Sequence, residues 1–152
     1  MKIEGQTRKT GTTSLRAMNE GDISSVVKLF AQRTQRSLDT DRLEKNLSFL
    51  PSCVAEKDGQ IVGFCYCYRF APDIIELANI YVQVDHRNKG LGKSLLDYIA
   101  REAAPKFNAL IAVNSQLHES LELVKRPTNF YIENGFHVLY KNKNTTIFIR
   151  DL

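Results

Sequence analysis

Arg87, Lys89 and Lys93 place three cations in one short stretch, with Gly90 and Gly92 between them. That mixture suits a phosphate. The cations offset its charge, and glycine lets the backbone approach without a Cβ in the way. The flanking residues say what positions the stretch. Before it, Ile74 to Val84 is rich in β-branched and large apolar residues and reads as a strand. After it, Leu91, Leu95, Ile99 and Ala103 recur at four-residue steps with Leu96 and Ala100 beside them, the apolar stripe of a helix. A strand, a glycine loop and a helix start together make an anion site. The first N–H groups of the helix have no partner within it, and the aligned peptide dipoles favour negative charge.

Three patterns compete for this loop. The nucleotide pattern G-x-x-x-x-G-K-[ST] ends correctly at Gly92-Lys93-Ser94 but needs a glycine where Arg87 stands. The dinucleotide pattern G-x-G-x-x-G begins at Gly90 and Gly92 and meets Leu95 at its third glycine. The pattern Arg/Gln-x-x-Gly-x-Gly/Ala is met in full by Arg87, Gly90 and Gly92. Ile80-Tyr81-Val82 precedes it, and FYIENGF follows later, from Phe130 to Phe136. On these residues the chain resembles the GNAT superfamily of acetyl-coenzyme A-dependent N-acyltransferases, over roughly Leu15 to Ile149.

The resemblance implies an α/β fold, a central mixed seven-stranded sheet flanked by about four helices. It also implies a β-bulge in strand four that splays strands 4 and 5 apart, which the sequence does not itself show. Strand-four backbone, here Val82, Gln83 and Val84, would then pair with the pantetheine arm of acetyl-CoA. Arg87, Asn88, Lys89, Gly90, Leu91, Gly92 and Lys93 would wrap the pyrophosphate. The plainer reading of the two glycines is a strand-to-helix turn.

The implied reaction is attack by an amine on a thioester. An alkyl ammonium has a pKa of about 10.4, so exposing its lone pair at pH 7 costs about 4–5 kcal/mol. A base is wanted. Glu76 stands on strand four at the distance before Arg87 where histone-type relatives carry their glutamate. By simple alternation it shares a face with Ala78, Ile80 and Val82, so where the bulge falls decides whether it meets the cleft. Asn79 could orient substrate. Tyr131 occupies the place of the tyrosine that many relatives keep near the thioester sulfur. It would donate a proton or a hydrogen bond there, or else serve as a core aromatic beside Phe130. The amide of Val82 would hold the developing oxyanion.

One position departs from the pattern. Relatives carry an Asn about seven residues before the aromatic pair, where this chain has Val124. Asn114 could serve instead, followed by an insertion over Ser115 to Val124, and Ser115 to Arg126 would shape the acceptor site. His86, His118 and His137 are scattered and read as surface or satisfied residues.

The remaining elements follow from turns and periodicity. Met1 to Thr13 reads as a mobile tail ahead of one domain spanning 14–152. Ser14 to Met18 reads as a strand, and Asp22 as the N-cap of a helix with Ile23, Val26, Val27 and Phe30 on one face. A second helix is expected from about Asp39 to Leu50, stopped by Pro51. Asp58-Gly59 joins a hairpin of Cys53 to Glu56 and Ile61 to Phe70, with Gly63 a point of close backbone approach. Ala109 to Val113 is a buried strand. Asn114 to Arg126 reads as partly helical, and Pro127 and Gly135 bracket a last helix. Phe136 to Tyr140 and Thr145 to Ile149 form a final hairpin whose exposed edge could support a homodimer.

Composition narrows the class. The chain has 152 residues, enough for one domain with its own core. It shows no apolar run long enough for a membrane span and no signal-like start, so a cytoplasmic location is expected and no membrane partner. Three cysteines, Cys53, Cys65 and Cys67, read as core residues, with no metal site at ligand spacing. The net charge of +4 is partly the loop's, and no aromatic-laced basic patch calls for nucleic acid. The leading expectation is an N-acetyltransferase acting on a primary amine of a small molecule or protein. The alternative is a non-catalytic acyl-coenzyme A-binding module of the same fold, and a nucleotide binder of the first loop pattern stands third.

Overall fold

Seven strands form one sheet in the order β1-β2-β3-β4-β5-β7-β6 in the computed structural model, which describes residues 12–33, 37–115 and 128–152. They are β1 (Thr13–Arg16), β2 (Ser52–Lys57), β3 (Gln60–Ala71), β4 (Ile74–Val82), β5 (Ala109–Ser115), β6 (His137–Lys141) and β7 (Thr145–Asp151). The β4–β5 pair is parallel and the other neighbours are antiparallel. Four helices are described: α1 (Ile23–Arg33), α2 (Thr40–Asn46), α3 (Leu91–Ala103) and α4 (Thr128–Glu133). This is the α/β architecture expected from the sequence. The expected tail up to residue 11 and the expected insertion, from residue 116 onward, lie outside the described residues.

Each sheet face carries its own core. On one, Leu95, Leu96, Ile99 and Ala103 of α3 pack on Cys53, Cys65, Cys67, Ile75, Leu77, Ile80 and Val82. On the other, Val26, Leu29 and Phe30 of α1 and Leu43 of α2 pack on Val54, Phe64, Tyr66 and Tyr81. Fully burying side chains of this size stabilises the fold by roughly 1.5–3 kcal/mol each. The three cysteines are buried in the sheet, and burial pushes the Cys53 thiol up to about 12.

The hairpin turn behaves as its residues demand. Asp58 and Gly59 both take positive φ, 52° and 79°, the turn whose twist matches the strands it joins. Gly63 is a point of close approach, since a Cβ there would stand 3.0 Å from the Tyr81 carbonyl.

Several boundaries differ from the sequence reading. Asp22 does not cap α1 directly. Its carboxylate accepts from Asn19 N at 2.9 Å and from Arg16 at 2.7 and 2.8 Å, and a 3-10 turn, Glu20–Asp22, leads into the helix. Leu29 joins the buried face of α1, while Val27 is 37 % exposed. The helix α2 stops at Asn46, four residues early, because the chain closes in turns ahead of Pro51. Asn114 and Ser115 are strand, paired with Thr146 and Thr145, not the start of a helix.

Candidate active site

β4 and β5 pair only over Ile74, Ile75 and Glu76, opposite Ala109, Leu110 and Ile111. Beyond that, β4 runs on to Val82 and β5 to Ser115 with no pairing between them. A bulge accompanies the divergence. Tyr66 pairs with Asn79 and Cys67 with Leu77, so Ala78 is the extra residue on β4.

The bulge corrects the alternation. Ile75 and Leu77 share the α3 face with Ile80 and Val82, so parity switches across Ala78. Glu76 is therefore on the opposite face from Ile80 and Val82. It lies with Ala78 and Tyr81, on the side of α1 and α2.

The bulge leaves a regular pattern behind it. Gln83 N donates to Val62 O at 2.8 Å, which makes Gln83 and Val62 a bonded pair. Its neighbour Val82, opposite Gly63, must then turn its own N–H away from β3, toward the open gap. Gln83 was expected to offer backbone to a ligand, but its N–H is already spent. Val84 was read as strand; it begins a 3-10 turn, Val84–His86, and is 60 % exposed.

The loop then bends through left-handed residues, Asn88 at φ 62° and Gly90 at φ 81°, into α3. Glycine takes that conformation most freely, which accounts for Gly90, and Asn is the side chain that tolerates it best, which suits Asn88. The helix has no side-chain cap, and its first bond is Ser94 N to Gly90 O at 3.1 Å. The amides ahead of Ser94 therefore stand before the helical ladder and suit an anion. Gly92 has a second reason to be glycine: a Cβ there would stand 3.2 Å from the Phe130 ring.

The cations divide their work. Arg87 Nε donates to Val82 O at 2.7 Å, and its guanidinium lies 5.2 Å from the Tyr81 ring. Lys93 pairs with Asp97 at 2.7 Å in an exposed helical bridge. Lys89 lines a cleft of about 490 Å³ with Lys57, His86, Thr13, Leu91 and Ser94. That cleft is on the β1 side of the loop, not in the gap.

Glu76 is half-buried, and burial raises its carboxyl pKa while Arg42 pulls it back down. Tyr68 is directly across from it on β3, with the Arg42 guanidinium 3.6 Å above the Tyr68 ring. The Tyr66 ring lies 5.6 Å from that of Tyr68, and burial pushes its phenol far up. The sequence reading missed Tyr66, Tyr68 and Arg42. A signal was there, because putting Cys65 and Cys67 on one face puts the two tyrosines on the other.

Tyr131 is on α4, on the α3 face of the sheet. Its ring is buried against Phe130, Phe136 and Phe148, with centroids 5.3, 5.4 and 4.9 Å away. Glu76 and Tyr131 thus belong to opposite faces, and the unpaired interval between β4 and β5 separates them. His86 is half-buried and His137 exposed, while His118 lies outside the described residues. No metal-competent group of three or more His, Cys, Asp or Glu occurs among the described residues. None of the described helices is long and apolar enough to cross a membrane.

Comparison with known proteins gives a consistent picture. The acetyltransferase (GNAT) domain family matches residues 50–138. Among solved structures, yncA of Salmonella typhimurium with its cofactor acetyl-CoA superposes with a TM-score of 0.75 at 17% identity, covering 93% of this chain and 95% of that one. The ribosomal-protein-S18-alanine N-acetyltransferase of Escherichia coli gives 0.72 at 14%, covering 92% and 94%. N-acetylglutamate synthase of Neisseria gonorrhoeae, with coenzyme A and N-acetyl-glutamate, gives 0.71 at 21%, covering 93% of this chain and 35% of that longer one. No curated protein sequence matches the chain.

Proposed function

The chain belongs to the GNAT acetyltransferase family, and from that premise we propose that it transfers an acetyl group from acetyl-CoA to a primary amine. The observation that carries this reading is the end of β4–β5 pairing at Glu76, with β4 running on to a glycine-bent loop and a helix N-terminus that has no side-chain cap. Those are two adjacent sites, one for an extended amide-bearing arm and one for its phosphates. Val82 N–H would pair with the arm. The amides ahead of Ser94 would take the pyrophosphate, with Arg87 and Lys93 adding charge.

Acetyl-CoA supplies an activated acyl carbon, so that overall an N–C bond forms, a C–S bond breaks, and one proton is released. Glu76 takes a proton from the ammonium. Its raised pKa makes it a better base than an ordinary carboxylate. Asn79, on the same face just past the bulge, orients the amine. Tyr131, across the gap, hydrogen-bonds the departing sulfur and protonates it. A phenol at about 10 is roughly 2 kcal/mol too weak an acid for a thiol at about 8.5, so its proton must be replenished. With Val82 N–H given to the arm, it is not also available to the developing oxyanion, the role the sequence reading assigned it.

Thiol release from acetyl-CoA in the presence of primary amines tests the reading. Amine-dependent release supports it. Coenzyme A raising the melting temperature with no release from any amine would favour the non-catalytic acyl-coenzyme A module.

A further inference from the structure

The Glu76 face of the sheet carries a cavity of about 220 Å³ at the root of the gap, lined by Phe70, Ile74, Glu76, Ile111, Val113, Leu139, Ile147 and Ile149. Glu76 is the one lining residue with a polar side chain. Alternation explains the lining. Leu110, Ala112 and Phe148 point to the α3 core, so Ile111, Val113, Ile147 and Ile149 must point the other way. Phe70 and Leu139 stand at the rim, 60 % and 56 % exposed. Leu139 sits at a register shift in β6, between Val138 and Tyr140.

The same face supplies polar groups at one end. Asn79 Oδ1 is buried with no hydrogen-bond partner among the described residues. A buried acceptor without a donor is costly unless something brings it one. An ammonium has three N–H donors. Glu76 and Asn79 are two acceptor-bearing residues on one face of β4, with Leu77 and the Ala78 bulge between them.

We infer that the acceptor is a primary amine on a compact apolar body, its ammonium held by Glu76 and Asn79 and its hydrocarbon in the cavity of Ile111, Val113, Ile147 and Ile149. The inference rests on the transferase reading above. The cavity is smaller than the roughly 300–1,000 Å³ of pockets for drug-sized ligands, so it suits a short alkyl chain or a single ring. An amino acid would bring its carboxylate toward Glu76. A polyamine would leave a second ammonium among apolar walls with no counter-charge.

The test is steady-state turnover of the full chain at saturating acetyl-CoA over an amine panel. The panel holds ethylamine to pentylamine, 2-phenylethylamine, ethanolamine, spermidine, glutamate and a lysine peptide. Catalytic efficiency should rise roughly fourfold per added methylene until the cavity fills. It should exceed that for ethanolamine, spermidine, glutamate and the peptide at least tenfold. Leu139→Lys, at an exposed position, and the nearly isosteric Val113→Thr should each flatten the alkyl series while coenzyme A still raises the melting temperature as before. Preference for spermidine, glutamate or the peptide overturns the inference and leaves the transferase reading standing. No turnover of any amine despite coenzyme binding overturns both. An alkyl series unchanged in both variants, with Leu139→Lys dissociating a dimer in sedimentation, overturns the inference in favour of a second copy seated on this face.

Discussion

Glu76 and Ile111 form the last paired position between β4 and β5. The candidate base therefore sits where the sheet stops being a sheet. One step further along β4, the backbone has lost its neighbour on that side, and the Ala78 bulge has exchanged the faces. The proposed site grows from that one divergence.

Glu76→Gln should lower the catalytic efficiency with amines by roughly 10²–10⁴-fold, the range of general-base removal. Its effect on stability has the opposite sign. Burial raises the folded-state pKa of Glu76, so the folded state binds more protons than the unfolded one in that window. Stability then falls as pH rises from the unfolded carboxylate value through the folded one. The Gln variant should lack that fall and be at least as stable as the parent at pH 7–8 in urea titrations.

Tyr131→Phe keeps the ring packed edge-on against Phe130 and Phe136 and tilted against Phe148, so the protein should fold. Its kcat should drop roughly 10²-fold or more, with little change in the KM for acetyl-CoA. A folded variant with undiminished turnover would leave Tyr131 as a core aromatic.

Arg87→Ala removes a cation beside the loop and the partner of the Val82 carbonyl. A charge-assisted hydrogen bond is worth about 1.5–3 kcal/mol, so coenzyme A affinity should weaken about 10–100-fold by calorimetry. Arg87→Lys should recover only part of it, because an ammonium lacks the guanidinium's planar fork of donors.

Asp22→Asn should destabilise the protein by about 1.5–3 kcal/mol at pH 7, since Asp22 is 7 % exposed and bridged to Arg16. The Arg16 guanidinium holds its carboxyl below the usual range. That stabilisation is present above the unfolded value of about 3.9 and is lost as pH falls through the folded one. Denaturation curves of parent and variant should converge in acid.

What the sequence disclosed was local. Asp58-Gly59, Gly63 and the α3 stripe are readable because turn chemistry, close approach and helical period depend on neighbours a few residues away. The loop from Arg87 to Gly92 was legible as a glycine bend opening a helix for the same reason. The bulge at Ala78 was not, because nothing in its side chain marks it. It arises from how β4 registers against Tyr66 and Cys67 on β3. The face of Glu76, the bonding of Gln83 and the cluster of Arg42, Tyr66 and Tyr68 all depend on that register. The apolar cavity draws on five strands and so has no signature in any one of them.

Amide hydrogen exchange with and without coenzyme A tests the central claim most directly. Val82 N–H turns into the gap, whereas Gln83 N–H is already bonded to Val62. The account predicts that coenzyme A slows exchange at Val82 and at the amides of Leu91, Gly92 and Lys93 far more than at Gln83. Unchanged exchange at Val82 under saturating coenzyme, with protection appearing elsewhere, would contradict it.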